Sequence, residues 1–174
     1  YTLSLHDALP ILGRPGDGLK VALSALEQGR MAIAARACGA ARECLAASVH
    51  YAKERVVFGR RIADHQMIQA RLAEMASDIA ASRVLVRHVA ALKDAGHADV
   101  RAEAAMAKHR ATEMLERVAS SAISLFGAYG LTKDQPFEQY LLDAKAFQVA
   151  EGTTEIQRIL IVRDLLDDHK DPLL

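Results

Sequence analysis

Residues 17–58 read DGLKVALSALEQGRMAIAARACGAARECLAASVHYAKERVVF. Leu26, Ile33, Ala37, Ala41, Cys44, Ser48, Ala52 and Val56 recur mostly three or four residues apart, the spacing that lines one face of an α-helix. Some forty residues at about 1.5 Å each would reach roughly 60 Å, so such a helix needs neighbours along its length. Asp17, after the Pro15-Gly16 turn, is the expected N-cap. Gly29 and Gly39 lie inside the pattern. Each costs about 1 kcal/mol relative to Ala in a helix interior, which predicts a close backbone approach at both.

Outward from this stretch, Gly59-Arg60-Arg61-Ile62-Ala63 breaks the pattern. A second helix is predicted over 64–96, with Ile68, Leu72, Met75, Ile79, Arg83, Val86 and Ala90 as its inward stripe and Gly96 as its C′ residue. A third is predicted over 99–126, with Met106, Leu115, Val118, Ala122 and Leu125 facing inward. After Gly127-Ala128-Tyr129-Gly130 comes a shorter helix over 136–147. After Glu151-Gly152-Thr153 a final one runs to 168, opened by a Thr154-x-x-Gln157 capping box. No internal repeat, low-complexity run or strand alternation is visible. The pattern predicts an all-α, up-down bundle of three long and two shorter helices over 12–174. Residues 1–11, YTLSLHDALPI, fit none of this. They resemble one reading frame of a short-read sequencing adapter and are set aside as a non-native segment.

Composition narrows the function. With 22 basic and 22 acidic residues the net charge is +0, which gives no electrostatic case for nucleic acid or an anionic membrane surface. Aromatics at 5% and no Trp argue against a stacking platform for single strands. Cys38 and Cys44 stand six apart within a helical pattern, on different faces, and read as small buried apolar residues rather than a disulfide or zinc site. The seven histidines form no metal-binding motif, so no metal is expected.

Three places set unusual polar residues beside glycine. Arg55-Val56-Val57-Phe58-Gly59-Arg60-Arg61 could hold phosphate oxygens through its guanidinium groups, or be a solvated basic helix end favoured by the dipole. Phe126-Gly127-Ala128-Tyr129-Gly130 lets a ligand approach the backbone, or simply stops a helix. Glu151 precedes the last helix beside Gly152. It is either a carboxylate stabilised by the helix dipole or a general base whose neighbouring backbone N–H groups polarise a carbonyl.

Taken together, KERVVFGRRIADHQMIQARLAEM (53–75), LFGAYG (125–130) and DAKAFQVAEGTTEIQRILIVR (143–163) resemble, in order and spacing, the C-terminal helical domain of the acyl-CoA dehydrogenase family, over roughly residues 13–168. Enzymes of that family carry an N-terminal helical domain and a middle β-barrel ahead of this one, so the resemblance implies the last part of a larger enzyme, inactive alone. It further implies FAD, an acyl-CoA or acyl-carrier-protein thioester substrate, and α,β-dehydrogenation. The expected base is Glu151, whose backbone N–H, with Gly152 beside it, helps hold the thioester carbonyl. Arg55, Phe58 and Gln66 match positions that contact FAD, often that of a neighbouring protomer. Thr153 and Glu155 match positions near the adenosine side. Arg30 matches an arginine supporting the catalytic loop, and Glu27 a polar position lining the substrate site. Some members place the base on the first helix, just before that arginine. Gly29 stands there, which leaves Glu151.

Three residues depart from the family's habits. Ser124 replaces a frequent Gln, Leu142 a frequent Arg, and Ala150 a frequent aromatic. The alanine-rich faces are broader than one bundle core requires, which predicts a homo-oligomer, a dimer of dimers; the resemblance implies an electron-transfer flavoprotein as electron acceptor; and with no targeting signal visible the expected location is cytoplasmic. An oxidase of the same fold and a non-catalytic helical assembly domain are the competing functions.

Overall fold

In a computed structural model the chain is described at residue 14 and over residues 16–167; the adapter-like segment 1–11 lies outside these. Five helices run in order: α1 (Gly18–Glu54), α2 (Gln66–Asp94), α3 (Arg101–Phe126), α4 (Phe137–Val149) and α5 (Thr154–Leu165). The three-long, two-short all-α architecture is as the periodicity predicts. Asp17 is the N-cap of α1, but its side chain turns backward and accepts from the Arg14 N–H instead of capping the helix.

α3 is the central helix, packed against each of the other four. Its contact with α1 is built from small residues. Ala34, Ala37 and Ala41 on α1 and Ala104, Ala111, Ala119 and Ala122 on α3 have no exposed surface. Side chains this small let two helix axes run close together and favour helix intrinsically. At one end, Phe126 stacks on Tyr51 at 4.1 Å between ring centroids and meets Phe137 edge-on at 4.7 Å. The expected stripe of α1 is buried from Ile33 to Ala52. That of α2 holds through Met75 and Ile79, after which Ser82 and Val89 turn inward in place of Arg83 and Ala90. On α3, Leu115, Val118, Ala122 and Leu125 are buried and Met106 is half-buried. Cys38 and Cys44 are free and buried, and burial pushes the Cys44 thiol up to about 12, leaving it inert as a nucleophile.

The end of α1 departs from expectation. The helix stops at Glu54, and β1 (Val56–Val57) pairs antiparallel with β2 (Arg60–Arg61) in a two-residue hairpin. Phe58 and Gly59 form its turn with φ of 52° and 76°, the pattern of a type I′ turn, whose twist matches that of the strands. β-branched Val56 and Val57 favour extension, although they continue the apolar run of the helix. A 3-10 turn over Ile62–Asp64 leads into α2. At the other end of α2, Gly96 takes φ of 85°. The His97 N–H donates to Leu92 O and the Gly96 N–H to Lys93 O, the paired bonds of a Schellman motif.

Candidate active site

The segment between α4 and α5 turns on two left-handed residues, Glu151 at φ 57° and Gly152 at φ 95°. A non-glycine side chain in this region costs energy and persists where its surroundings hold it. The surroundings here are three buried polar groups from three helices. Arg30 on α1 donates through Nε to the Glu151 carbonyl at 3.3 Å. Gln157 on α5 donates through Nε2 to the same carbonyl at 3.3 Å and to the Gly152 carbonyl at 2.7 Å. Lys108 on α3 donates through Nζ to the Gln148 carbonyl at 3.1 Å and to the Gly152 carbonyl. Lys108 and Gln157 are fully buried and Arg30 nearly so, so these bonds satisfy groups that would otherwise lie unpaired in a low dielectric.

The Gly152-Thr153-Thr154 start of α5 is not the capping box that its spacing predicts. Thr153 is the N-cap residue, and Gln157 spends its amide on the loop carbonyls. The Thr154 hydroxyl is buried without a partner.

Gly29 faces the Glu151 side chain. A Cβ there would lie 2.5 Å from Glu151 Cδ and 2.6 and 2.9 Å from its two carboxylate oxygens. The predicted close approach at Gly29 is therefore real, but a carboxylate makes it, not a backbone. At Gly39 no neighbouring atom lies within 4 Å of the place a Cβ would take, so the expectation of close packing fails there.

The charges around the loop are coupled. Burial lowers Arg30 from the usual guanidinium range, opposed by Glu27 and Glu151. Burial, with Arg30 adding to it, lowers the Lys108 ammonium to about 8, opposed by Glu151 and Glu155. Glu155 is held below the usual carboxylate range by its own backbone N–H and the Thr153 hydroxyl.

Glu151, Gly152 and Arg30 thus meet at one place, with Thr153 and Glu155 following at the start of α5. Thr153 and Glu155 edge a polar groove with Arg117, Lys145 and Arg158. One turn before Arg30, buried Glu27 pairs with Lys93 of α2 and borders a groove with Leu19, Leu23 and Arg101. Arg55, Phe58 and Gln66 are not brought to this loop. They sit exposed around the hairpin, and the stretch of α1 between Arg30 and Arg55 spans roughly 37 Å at about 1.5 Å per residue. Among the departures, Ser124 turns its hydroxyl onto the Ser120 carbonyl of its own helix at 2.9 Å, and Leu142 is exposed.

Lys108 and Gln157 escape the sequence reading as site residues. For Lys108 a signal existed: it falls in register with Ala104, Ala111 and Leu115, a lysine on an apolar stripe.

Residues 16–166 match the family model described as acyl-CoA dehydrogenase, C-terminal domain. The chain is 46% identical over 156 residues to an acyl-CoA dehydrogenase of Bacillus subtilis, covering 90% of this chain and 41% of that protein. It superimposes on butyryl-CoA dehydrogenase from Megasphaera elsdenii with a TM-score of 0.86 at 39% identity, covering 89% of this chain and 40% of that one. A chain in the structure named "Electron transferring flavoprotein of Acidaminococcus fermentans" matches with a TM-score of 0.87 at 44% identity, covering 90% and 41%. The chain thus spans about two fifths of the length of the relatives it matches. Sequence and overall fold converge: the chain belongs to the acyl-CoA dehydrogenase family and carries its C-terminal helical domain.

Proposed function

We propose that residues 12–174 are the C-terminal domain of an FAD-dependent acyl-CoA dehydrogenase, and that Glu151 removes the α-proton of an acyl thioester. The observation that carries this reading is the empty position at Gly29 opposite the Glu151 carboxylate. A non-catalytic assembly domain gains nothing from a glycine that costs about 1 kcal/mol in mid-helix and leaves room for a carboxylate. A base needs that room.

The chain's own residues would act as follows. Arg30, Lys108 and Gln157 fix the backbone of the loop, so the carboxylate is aimed before substrate arrives and little reorganisation is left to the reaction. Removing the α-proton places enolate charge on the thioester oxygen, and the Glu151 backbone N–H is assigned to hold it. The groove bordered by Glu27, Leu19 and Leu23 is assigned to the substrate, as the acyl thioester of coenzyme A or of a carrier protein.

The hairpin residues fit FAD by their chemistry. Arg55 offers a guanidinium fork for phosphate oxygens, exposed Phe58 an aromatic face, and Gln66 an amide at the start of α2. Thr153 and Glu155 are assigned to the adenosine side. When bound, the flavin supplies a hydride acceptor for the β-carbon. The separation of the hairpin from the Glu151 loop along α1 supports a cofactor shared between protomers of a homo-oligomer, a dimer of dimers. So does the exposed apolar row Ile156, Ile159 and Val162 on α5, with Leu166 just after it.

The match to a chain in an electron-transferring flavoprotein structure supports such a protein as electron acceptor. Among the described residues no helix is long and apolar enough to cross a membrane, and a cytoplasmic location is proposed.

The test is stopped-flow flavin reduction by acyl thioester in the intact enzyme bearing Glu151→Gln. This variant keeps size and hydrogen bonding but no basic lone pair. The expected loss is about 10²–10⁴-fold with FAD retained. Reduction at the wild-type rate would return Glu151 to a helix-capping charge.

A further inference from the structure

Lys108 has no exposed surface. An ammonium is costly to bury unless its donors and charge are answered, and an Ala or Leu would fill the same apolar stripe of α3 without that cost. Its donors go to two carbonyls that flank the base: Gln148, in the last turn of α4 three residues before Glu151, and Gly152 immediately after it. The first is one of the carbonyls a helix end leaves without an intrahelical partner. The second belongs to the left-handed pair on which the loop turns. The groups facing Lys108 are Arg30 from α1, Glu151 from the loop and Glu155 from α5, with His109 beside it on its own helix. Two cations, Arg30 and Lys108, thus stand behind one carboxylate.

We propose that Lys108 is a positioning residue for Glu151: it ties together the carbonyls on either side of the base and so fixes the backbone that aims the carboxylate. This rests on the reading of Glu151 as the base. Gln157 shares the Gly152 carbonyl but makes no bond to the Gln148 carbonyl, so it duplicates one of the two ties and leaves the other to Lys108. Burial brings the Lys108 ammonium down to about 8, and the neutral amine still has two N–H groups for the two carbonyls, so the tie outlasts the charge.

The experiment uses the intact, FAD-loaded enzyme with an acyl-CoA substrate and follows flavin reduction against substrate concentration. Lys108→Met is expected to lower the limiting rate about tenfold or more, as misplacement of a base does, with half-saturation within about threefold. Lys108→Gln keeps a donor for one carbonyl. It is expected to lower the limiting rate less than Lys108→Met, and it carries the test where Lys108→Met does not fold. Lys108→Arg retains donors for both carbonyls and is expected to return the limiting rate to within about threefold of wild type. An unchanged limiting rate in Lys108→Met and Lys108→Gln, with only thermal stability reduced, would overturn the proposal. Glu151→Gln, run alongside, separates the two claims: wild-type flavin reduction there would overturn the base itself, whatever the Lys108 variants do.

Discussion

The hairpin after α1 and the loop after α4 use the same backbone device and finish it in opposite ways. Each turns on a non-glycine residue followed by glycine, both left-handed: Phe58-Gly59 at 52° and 76°, Glu151-Gly152 at 57° and 95°. Among the described residues, Phe58 and Glu151 are the non-glycines with positive φ. Around Glu151 the chain supplies Arg30, Lys108 and Gln157, all buried and all bonded to the loop. Around Phe58 it supplies almost nothing. Phe58 is 91% exposed, and among the described residues its ring pairs edge-on with His65 at 6.4 Å between centroids.

A left-handed residue that its own domain holds reads as machinery completed within this chain. One left bare reads as a contact surface for something else. The proposed base half is assembled here, and the proposed cofactor half is only presented.

The comparison breaks most visibly at Gly29. Gly29→Ala places a methyl where the Glu151 carboxylate sits, and the flexible acid yields more readily than either helix. The backbone gains about 1 kcal/mol of helix propensity, so thermal stability is expected to hold or rise. Flavin reduction in the intact enzyme is expected to fall by up to about 100-fold from the misplaced base. Falling stability with unchanged turnover would mean that the gap at Gly29 serves packing.

Next comes the clamp. Gln157→Ala removes two bonds to the loop carbonyls, yet Arg30 still serves Glu151 and Lys108 still serves Gly152. A loss of about 1–3 kcal/mol is expected in denaturant unfolding, with the rate reduced less than by Gly29→Ala. On the hairpin, Phe58→Asn creates the Asn-Gly pair that type I′ turns favour. Domain stability is expected to change by no more than about 0.5 kcal/mol. FAD affinity by equilibrium titration of the intact enzyme is expected to weaken about tenfold, in line with losing a buried aromatic contact. Unchanged FAD affinity would remove Phe58 from the cofactor surface.

How much of this is legible in the sequence follows the same division. The long helices are legible because Ile33, Ala37, Ala41, Cys44, Ser48 and Ala52 keep one face buried for many turns, and a 3.6-residue period sustained that long fits no strand. The hairpin is not, because two-residue strands are too short to alternate and Val56 and Val57 continue the apolar face of α1. The cost of Gly29 is legible, but which group needs the space is not, since Glu151 lies more than a hundred residues away in sequence. At Thr154 and Gln157 a local rule competes with a tertiary demand. Two loop carbonyls take the glutamine that a capping box would have used. Lys108 shows that a single lysine interrupting an apolar stripe marks a tertiary demand, as the mid-helix glycine at 29 does and the one at 39 does not.

The most direct measurement isolates proton removal from electron transfer. The intact enzyme, loaded with FAD, is given an acyl-CoA analogue whose β-position cannot be oxidised, in D₂O, and deuterium entering the α-position is followed by mass spectrometry. Glu151 as a base aimed in advance by Arg30, Lys108 and Gln157 predicts steady α-exchange in the wild type and a loss of about 10²-fold or more in Glu151→Gln. Exchange continuing at the wild-type rate in Glu151→Gln would contradict it and place the base elsewhere.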